Sequence, residues 1–187
     1  MPEPQRRPIM DTAAVERALS RMAREVVERT GGTEGVVLVG IHRRGVDLAA
    51  WIAREIERTE GVAVPTGSLD ITLYRDDLMT VGPRPVVGRS DIPPGGIDGR
   101  QVVIVDDVLY TGRTVRAALD ELADYGRPSR TLLCVLVDRE GRELPIQADI
   151  VGAKVPVPAG GRVEVRVPRT DGGALGVEVV DGGGGAG

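Results

Sequence analysis

Apolar residues along this chain alternate between two periods, and each change of period marks an element boundary. Val15, Ala18, Leu19, Met22 and Val26 recur at helical spacing and predict one buried stripe. Asp11 stands where an N-cap is needed, Met10 and Val15 are placed as a hydrophobic staple, and Gly31-Gly32 ends the helix. Val36–Ile41 is a continuous apolar run of strand length, which predicts a strand buried on both faces. A helix follows from about Val46 to Arg58. Val62–Val64 and Leu69–Tyr74 predict further strands, the second alternating through Leu69, Ile71 and Leu73. Val102 to Val105 are all β-branched and open another buried strand, after which Val115, Ala118, Leu119 and Leu122 return to helical spacing. Gly126-Arg127-Pro128 closes that helix, and 131–137 is the next strand. Two short strands near 162–167 and 175–180 complete the pattern.

Strands alternating with helices as far as Val137 predict an α/β fold: a parallel sheet flanked by helices, with a small cap from the last forty or so residues. Residues 1–9 contain Pro2, Pro4 and Pro8 without periodicity and read as a flexible arm. Residues 10–180 form a single domain, and the glycine-rich 181–187 reads as a disordered tail. The stretch from Arg75 to Gly99 is rich in Gly, Pro and charge, and a loop of that length in one domain suits a flexible lid.

Composition narrows the picture. The 187 residues suit one domain, and with one Trp, three Tyr and no Phe the core must be built from Val, Leu, Ile and Ala. No apolar run approaches the ~20 residues that span a bilayer, and no signal-peptide core is visible, so cytoplasmic residence without a membrane partner is expected. The single cysteine, Cys134, lies within an apolar strand and reads as a buried residue rather than a nucleophile. A net charge of −4 argues against nucleic-acid binding through the whole surface, leaving room for a local basic patch. Arg17, Arg21 and Arg24 form such a line on the first helix; the competing reading is a solvated face partnered by Glu25 and Glu28.

Candidate chemistry concentrates between Gln101 and Asp120. Asp106 and Asp107 follow the buried run where its strand is expected to end, and Thr111-Gly112-Arg113-Thr114 precede the next helix. A helix N-terminus offers unpaired amides and a favourable dipole to an anion, and Gly112 lets the chain approach it. Two carboxylates cannot face that same anion; they suit sugar hydroxyls or a place near a metal-bound group. A ribose 5-phosphate satisfies both halves, although an acidic pair that merely caps the helix is the plainer alternative. The P-loop pattern is absent. A second turn, His42-Arg43-Arg44-Gly45, is cationic, and adjacent guanidinium groups suit a diphosphate. Arg89, from the predicted lid, is a further phosphate candidate. His42 has no visible carboxylate partner and reads as a bystander.

The strand, acidic pair and TGxT turn resemble the signature of type I phosphoribosyltransferases. Together with GSLDITLYRDDL (67–78) and LVDREGRELPIQADIVGAKVP (136–156), the chain resembles the bifunctional bacterial pyrimidine-operon attenuation regulators from about Met10 to Val167. That resemblance implies a type I phosphoribosyltransferase-like sheet with a lid and a C-terminal hood at about 138–167. It implies uracil phosphoribosyltransferase activity, uracil + 5-phosphoribosyl diphosphate = UMP + diphosphate, together with uridine-nucleotide-dependent binding of operon-leader mRNA. The implied partners are phosphoribosyl pyrophosphate, uracil, UMP, the RNA and further copies of the chain as a homodimer or larger oligomer. Magnesium is implied on the diphosphate, with no ligand assigned to the protein.

Carried over by position, Asp106, Asp107 and Arg44 are the catalytic candidates. Asp106 and Asp107 hold the ribose hydroxyls, Thr111 to Thr114 the 5-phosphate, and Arg43, Arg44 and Arg89 the pyrophosphate, while Arg139, Ile150 and Val151 frame the base. Arg17, Arg21 and Arg24 are the RNA candidates. The pattern departs from the family where Arg43-Arg44-Gly45 replaces Thr-Arg-Gly, where Gly141 replaces His, and where Gly152-Ala153-Lys154 replaces Gly-Lys-Asn. In the first helix Arg24 replaces a histidine and Gly31 a lysine. A salvage phosphoribosyltransferase without RNA binding and a non-catalytic nucleotide-sensing regulator are the alternatives.

Overall fold

A computed structural model describes residues 3–72 and 89–182. In chain order the elements are β1 Arg6–Met10, α1 Thr12–Thr30, β2 Val36–Ile41, α2 Arg44–Glu60, β3 Thr66–Leu69, β4 Gln101–Leu109 and α3 Arg113–Tyr125. They continue as β5 Arg130–Asp138, β6 Ile150–Lys154, β7 Arg162–Arg166, α4 Pro168–Asp171 and β8 Gly176–Val180. Five strands pair in the order β3-β2-β4-β5-β6, all parallel, with β4 in the centre. A second sheet, β1-β8-β7, is antiparallel.

The period-2 geometry of β4 divides the core. Val103 and Val105 turn to one face and pack with Leu19, Met22, Leu48 and Ile52 from α1 and α2. Val102 and Ile104 turn to the other face and meet Val115, Ala118 and Leu122 of α3. Helices on both faces explain why the strands read as unbroken apolar runs rather than alternating ones. Each fully buried Leu or Ile contributes roughly 1.5–3 kcal/mol, and truncating Ile52, which has no exposure, to Ala would cost about 2–5 kcal/mol. Asp11 caps α1 by accepting the Ala14 N–H at 2.8 Å, and Met10 packs against the same core as Val15.

Several boundaries differ from the sequence reading. The arm expected at residues 1–9 forms β1 from Arg6 onward. Its backbone pairs with β8, and Arg6 reaches Glu164 and Glu178. Pro8 is tolerated because β1 is an edge strand. Val62–Val64 is not a strand; pairing with β2 starts at Thr66, after Pro65. β3 stops at Leu69, where the Asp70 carboxylate accepts the Thr72 N–H at 3.0 Å and turns the chain. Leu73, Tyr74 and most of the predicted lid lie outside the described residues, as do 183–187 of the predicted tail. The cap is wider than the hood expected at 138–167, since β1, α4 and β8 share it.

Candidate active site

β4 runs through the acidic pair to Leu109, so Asp106 and Asp107 occupy the carboxyl end of the central strand. Open α/β sheets bind ligands at this edge. Asp106 is 6% exposed and its carboxylate accepts the Asp107 N–H at 2.9 Å. Burial, reinforced by the neighbouring Asp107 charge, pushes the Asp106 carboxyl well above the usual carboxylate range. Asp107 is half-buried and accepts the Val108 N–H at 2.9 Å.

The turn after β4 is held from outside. The Thr111 carbonyl accepts Glu143 N–H at 2.9 Å and Leu144 N–H at 3.1 Å. Gly112 has φ +93°, a conformation that side-chain-bearing residues rarely adopt, and it lies in contact range of Leu144 and Ile146. Gly112 gives α3 no side-chain cap of its own; the Thr111 hydroxyl accepts the Arg113 N–H at 3.2 Å, and the later amides of the first turn are left to a ligand. The Arg113 guanidinium turns to Glu143 at 2.7 Å, whereas Thr114 faces the acidic pair.

Across the sheet edge, the turn after β2 approaches closely. A Cβ on Gly45 would lie 2.4 Å from the Val105 carbonyl oxygen, and one on Gly40 would lie 2.4 Å from the Gly45 carbonyl oxygen. Only glycines at both places let this turn lie against β4. The result is a cavity of about 590 Å³ lined by His42, Arg43, Asp106, Asp107 and Thr114, with Asp70 and Thr72 on its far wall. A cation, an acid couple and a helix N-terminus therefore meet in one hollow, the set required by a phosphorylated sugar with a second anionic group.

Other predicted site residues lie elsewhere. Arg44 begins α2 and forms a two-point ion pair with Asp171 of α4, at 2.7 and 3.0 Å. This pairing raises the Arg44 pKa and lowers that of Asp171. Arg43 rather than Arg44 lines the cavity. Arg89 is exposed and outside the cavity's described lining. Arg139 is buried, stacks on the Tyr110 ring at 3.8 Å and donates to the Gly161 carbonyl at 3.1 Å. It opens on a separate hollow of about 230 Å³ with Arg142 and Lys154. Ile150 is wholly within the α1-side core, and Val151 is half-buried on β6. Cys134 is buried, and desolvation drives its thiol far above the usual range.

Arg17, Arg21 and Arg24 share a broader groove of about 1090 Å³ along α1, with Glu16, Glu25 and Glu28 among them. The predicted partnership with Glu25 is replaced: Glu25 binds Arg29 at 3.0 Å. Arg21 donates to the Gly152 carbonyl on the edge strand β6. Sequence reasoning missed Asp70, Thr72, Tyr110 and Asp171. Only the position of Asp70 at the end of an apolar strand could have singled it out. Among the described residues no helix is long and apolar enough to cross a membrane.

Comparison with known proteins agrees with this geometry. The phosphoribosyl transferase domain family matches residues 7–160. A bifunctional protein PyrR of Roseiflexus sp. (strain RS-1) is 56% identical over 172 residues, 92% of this chain and 93% of that protein. The bifunctional protein PyrR of Thermus aquaticus is 56% identical over 164 residues, 88% of this chain and 90% of that one. In fold, the chain is similar to a hypoxanthine phosphoribosyltransferase of Trypanosoma cruzi, with a TM-score of 0.69 at 19% identity over 95% of this chain and 97% of the other. A hypoxanthine-guanine phosphoribosyltransferase of Bacillus anthracis gives 0.67 at 16% identity over 93% and 97%. The chain belongs to the phosphoribosyl transferase family and, within it, to the group of bifunctional PyrR proteins.

Proposed function

We propose that this protein joins uracil to phosphoribosyl pyrophosphate, releasing UMP and diphosphate, and that it also binds pyrimidine-operon leader RNA under control of uridine nucleotide. The observation carrying the reading is the cavity that sets Arg43 and Thr114 beside Asp106 and Asp107 at the centre of a parallel sheet.

In this reading the 5-phosphate lies on Thr111–Thr114 and the α3 N-terminus, and the ribose hydroxyls are held by the acid couple. Asp107 is the more exposed of the two carboxyl groups and reaches the cavity, whereas burial pushes the Asp106 carboxyl above the usual range. A uracil nitrogen gives up its proton to solvent and forms a bond to C1 while the C1–oxygen bond breaks, the electron pair of that bond leaving with diphosphate. Positive charge grows on the ribose as it does so, and Asp107 stabilises it electrostatically. Arg43 faces the departing diphosphate; Arg44 does so once released from Asp171. Arg139, Ile150 and Val151 are retained as the base frame on the family's pattern, with β6 backbone as the recognising edge.

Magnesium fits as a passenger of the substrate. The cavity offers the hard oxygens of Asp70, Asp106 and Asp107, but the described residues contain no cluster of three or more acidic, His or Cys groups able to hold an ion alone. Bound to the diphosphate, it would neutralise charge on the leaving group. The RNA surface is the α1 groove with Arg17, Arg21 and Arg24, and a second copy of the chain would double that footprint. Ligand and RNA affinities must then be coupled reciprocally. The setting is the cytoplasm.

Two assays decide the matter. Each nucleobase is offered with phosphoribosyl pyrophosphate and magnesium; uracil alone should yield its nucleotide, and no conversion of uracil would refute the enzyme. A leader-hairpin titration with and without UMP should show tighter binding with UMP; no affinity at moderate salt would remove the regulatory half.

A further inference from the structure

Glu121 is buried, at 4% exposure, on the face of α3 that carries Ala117, Ala118 and Leu122 into the core. An acidic side chain there is costly unless its bonds are used. One carboxylate oxygen accepts from the Ser90 hydroxyl. The Ser90 oxygen in turn accepts the Asp70 N–H at 2.8 Å. Ser68 and Asp91 exchange backbone hydrogen bonds at 2.8 and 2.9 Å, so Ser90 is laid against the end of β3. Asp70 then fixes Thr72, and both line the cavity.

The same helix therefore holds both walls. Its first turn presents Thr114 to the cavity, and two turns later it grips the opposite wall through Ser90. We propose that Glu121 is a positioning residue for the active site, setting the Asp70–Thr72 wall against the phosphate turn through the Glu121–Ser90–Asp70 chain. The proposal rests on the cavity being the phosphoribosyl site. Burial raises the Glu121 pKa and the Ser90 hydrogen bond opposes it, with smaller contributions from Asp70 and Asp124 upward and His42 downward.

Three substitutions separate positioning from folding. Glu121→Leu fills the space without an acceptor, Glu121→Gln keeps an oxygen for Ser90, and Ser90→Ala removes the link. Thermal unfolding is followed beside steady-state transfer and calorimetric titration with phosphoribosyl pyrophosphate. Glu121→Leu and Ser90→Ala should raise KM for phosphoribosyl pyrophosphate about ten-fold, as a displaced cavity wall weakens substrate placement. Glu121→Leu should keep or raise the unfolding temperature, and Glu121→Gln should restore KM to within about two-fold of the unsubstituted protein. Unchanged KM in Glu121→Leu, or a Gln variant as impaired as Leu, overturns the proposal. Should the unsubstituted protein neither bind nor turn over phosphoribosyl pyrophosphate, the functional reading has failed instead. Hydrogen exchange at the Asp70 and Thr72 amides then judges the chain: faster in Leu and restored in Gln supports it, and unchanged in Leu overturns it.

Discussion

Gly45 sits against Asp106: a Cβ at position 45 would lie 3.3 Å from the Asp106 Cα and 2.4 Å from the oxygen of Val105. The cationic turn and the acidic strand are thus in backbone contact, with no side chain between them. Gly45→Ala must move one away from the other. We expect a loss of about 1–3 kcal/mol in urea unfolding, typical of overpacking, and at least ten-fold in uracil conversion. An alanine variant with unchanged unfolding and turnover would show that the turn is free to shift.

The acidic pair makes a prediction with a definite sign. Asp106 has its pKa raised in the folded state, so its protonated form is the one folding favours. Its contribution is greatest below the ordinary Asp range and falls as pH rises through the folded value. Asp106→Asn should therefore be more resistant to urea than the unsubstituted protein at pH 8, and the difference should shrink towards pH 4. Asp107→Asn should keep the fold and lose most uracil conversion, on the order of a hundred-fold or more. Turnover unchanged in Asp107→Asn would dismiss its assigned role.

Asp171 behaves in the opposite sense. Its hydrogen bonds to Arg44 lower its pKa, so the pair stabilises at neutral pH and fades as pH falls below the ordinary Asp range. The Arg44 side chain is 40% exposed, and solvent screens the pair. Asp171→Asn should cost no more than about 0.5–1 kcal/mol at pH 7. Chemical denaturation at pH 7 in low and in half-molar salt checks this, since the difference should narrow with salt.

Arg17 and Arg24 line the α1 groove, and among the described residues neither makes an ion pair like that of Arg29 with Glu25; Arg24 donates to the Ser20 carbonyl of its own helix. Replacing either with Gln should weaken leader-RNA binding about ten-fold at low salt and reduce the salt slope by about one. Filter binding across a salt series measures both. Equal affinity and slope would place the RNA surface elsewhere.

Local chemistry made much of this molecule readable. The unbroken run Val102–Val105, the acidic pair and the TGxT turn lie consecutively, and their arrangement follows from strand and helix periods alone. Long-range partners did not announce themselves. Arg44 looks like a free phosphate-binding residue until Asp171, 127 residues away, claims it. Pro8 suggested a loose arm because nothing near it reveals that β8 will supply hydrogen bonds. Glu121 carries no sequence signal that sets it apart from the other polar residues of its helix, since its partner Ser90 lies 31 residues away. Arg139 was assigned to a base site on resemblance, whereas its stacking on Tyr110 depends on how two distant turns meet.

The antiparallel pairing of Arg6 with Val180, Arg7 with Val179 and Pro8 with Glu178 has a mechanical consequence. Tension applied at the two ends of the molecule pulls along the inter-strand bonds rather than across them, so each bond is loaded in turn from the Arg6 end. The outer strand would peel away at low force, whereas the central parallel strands would take the same load in shear and yield later.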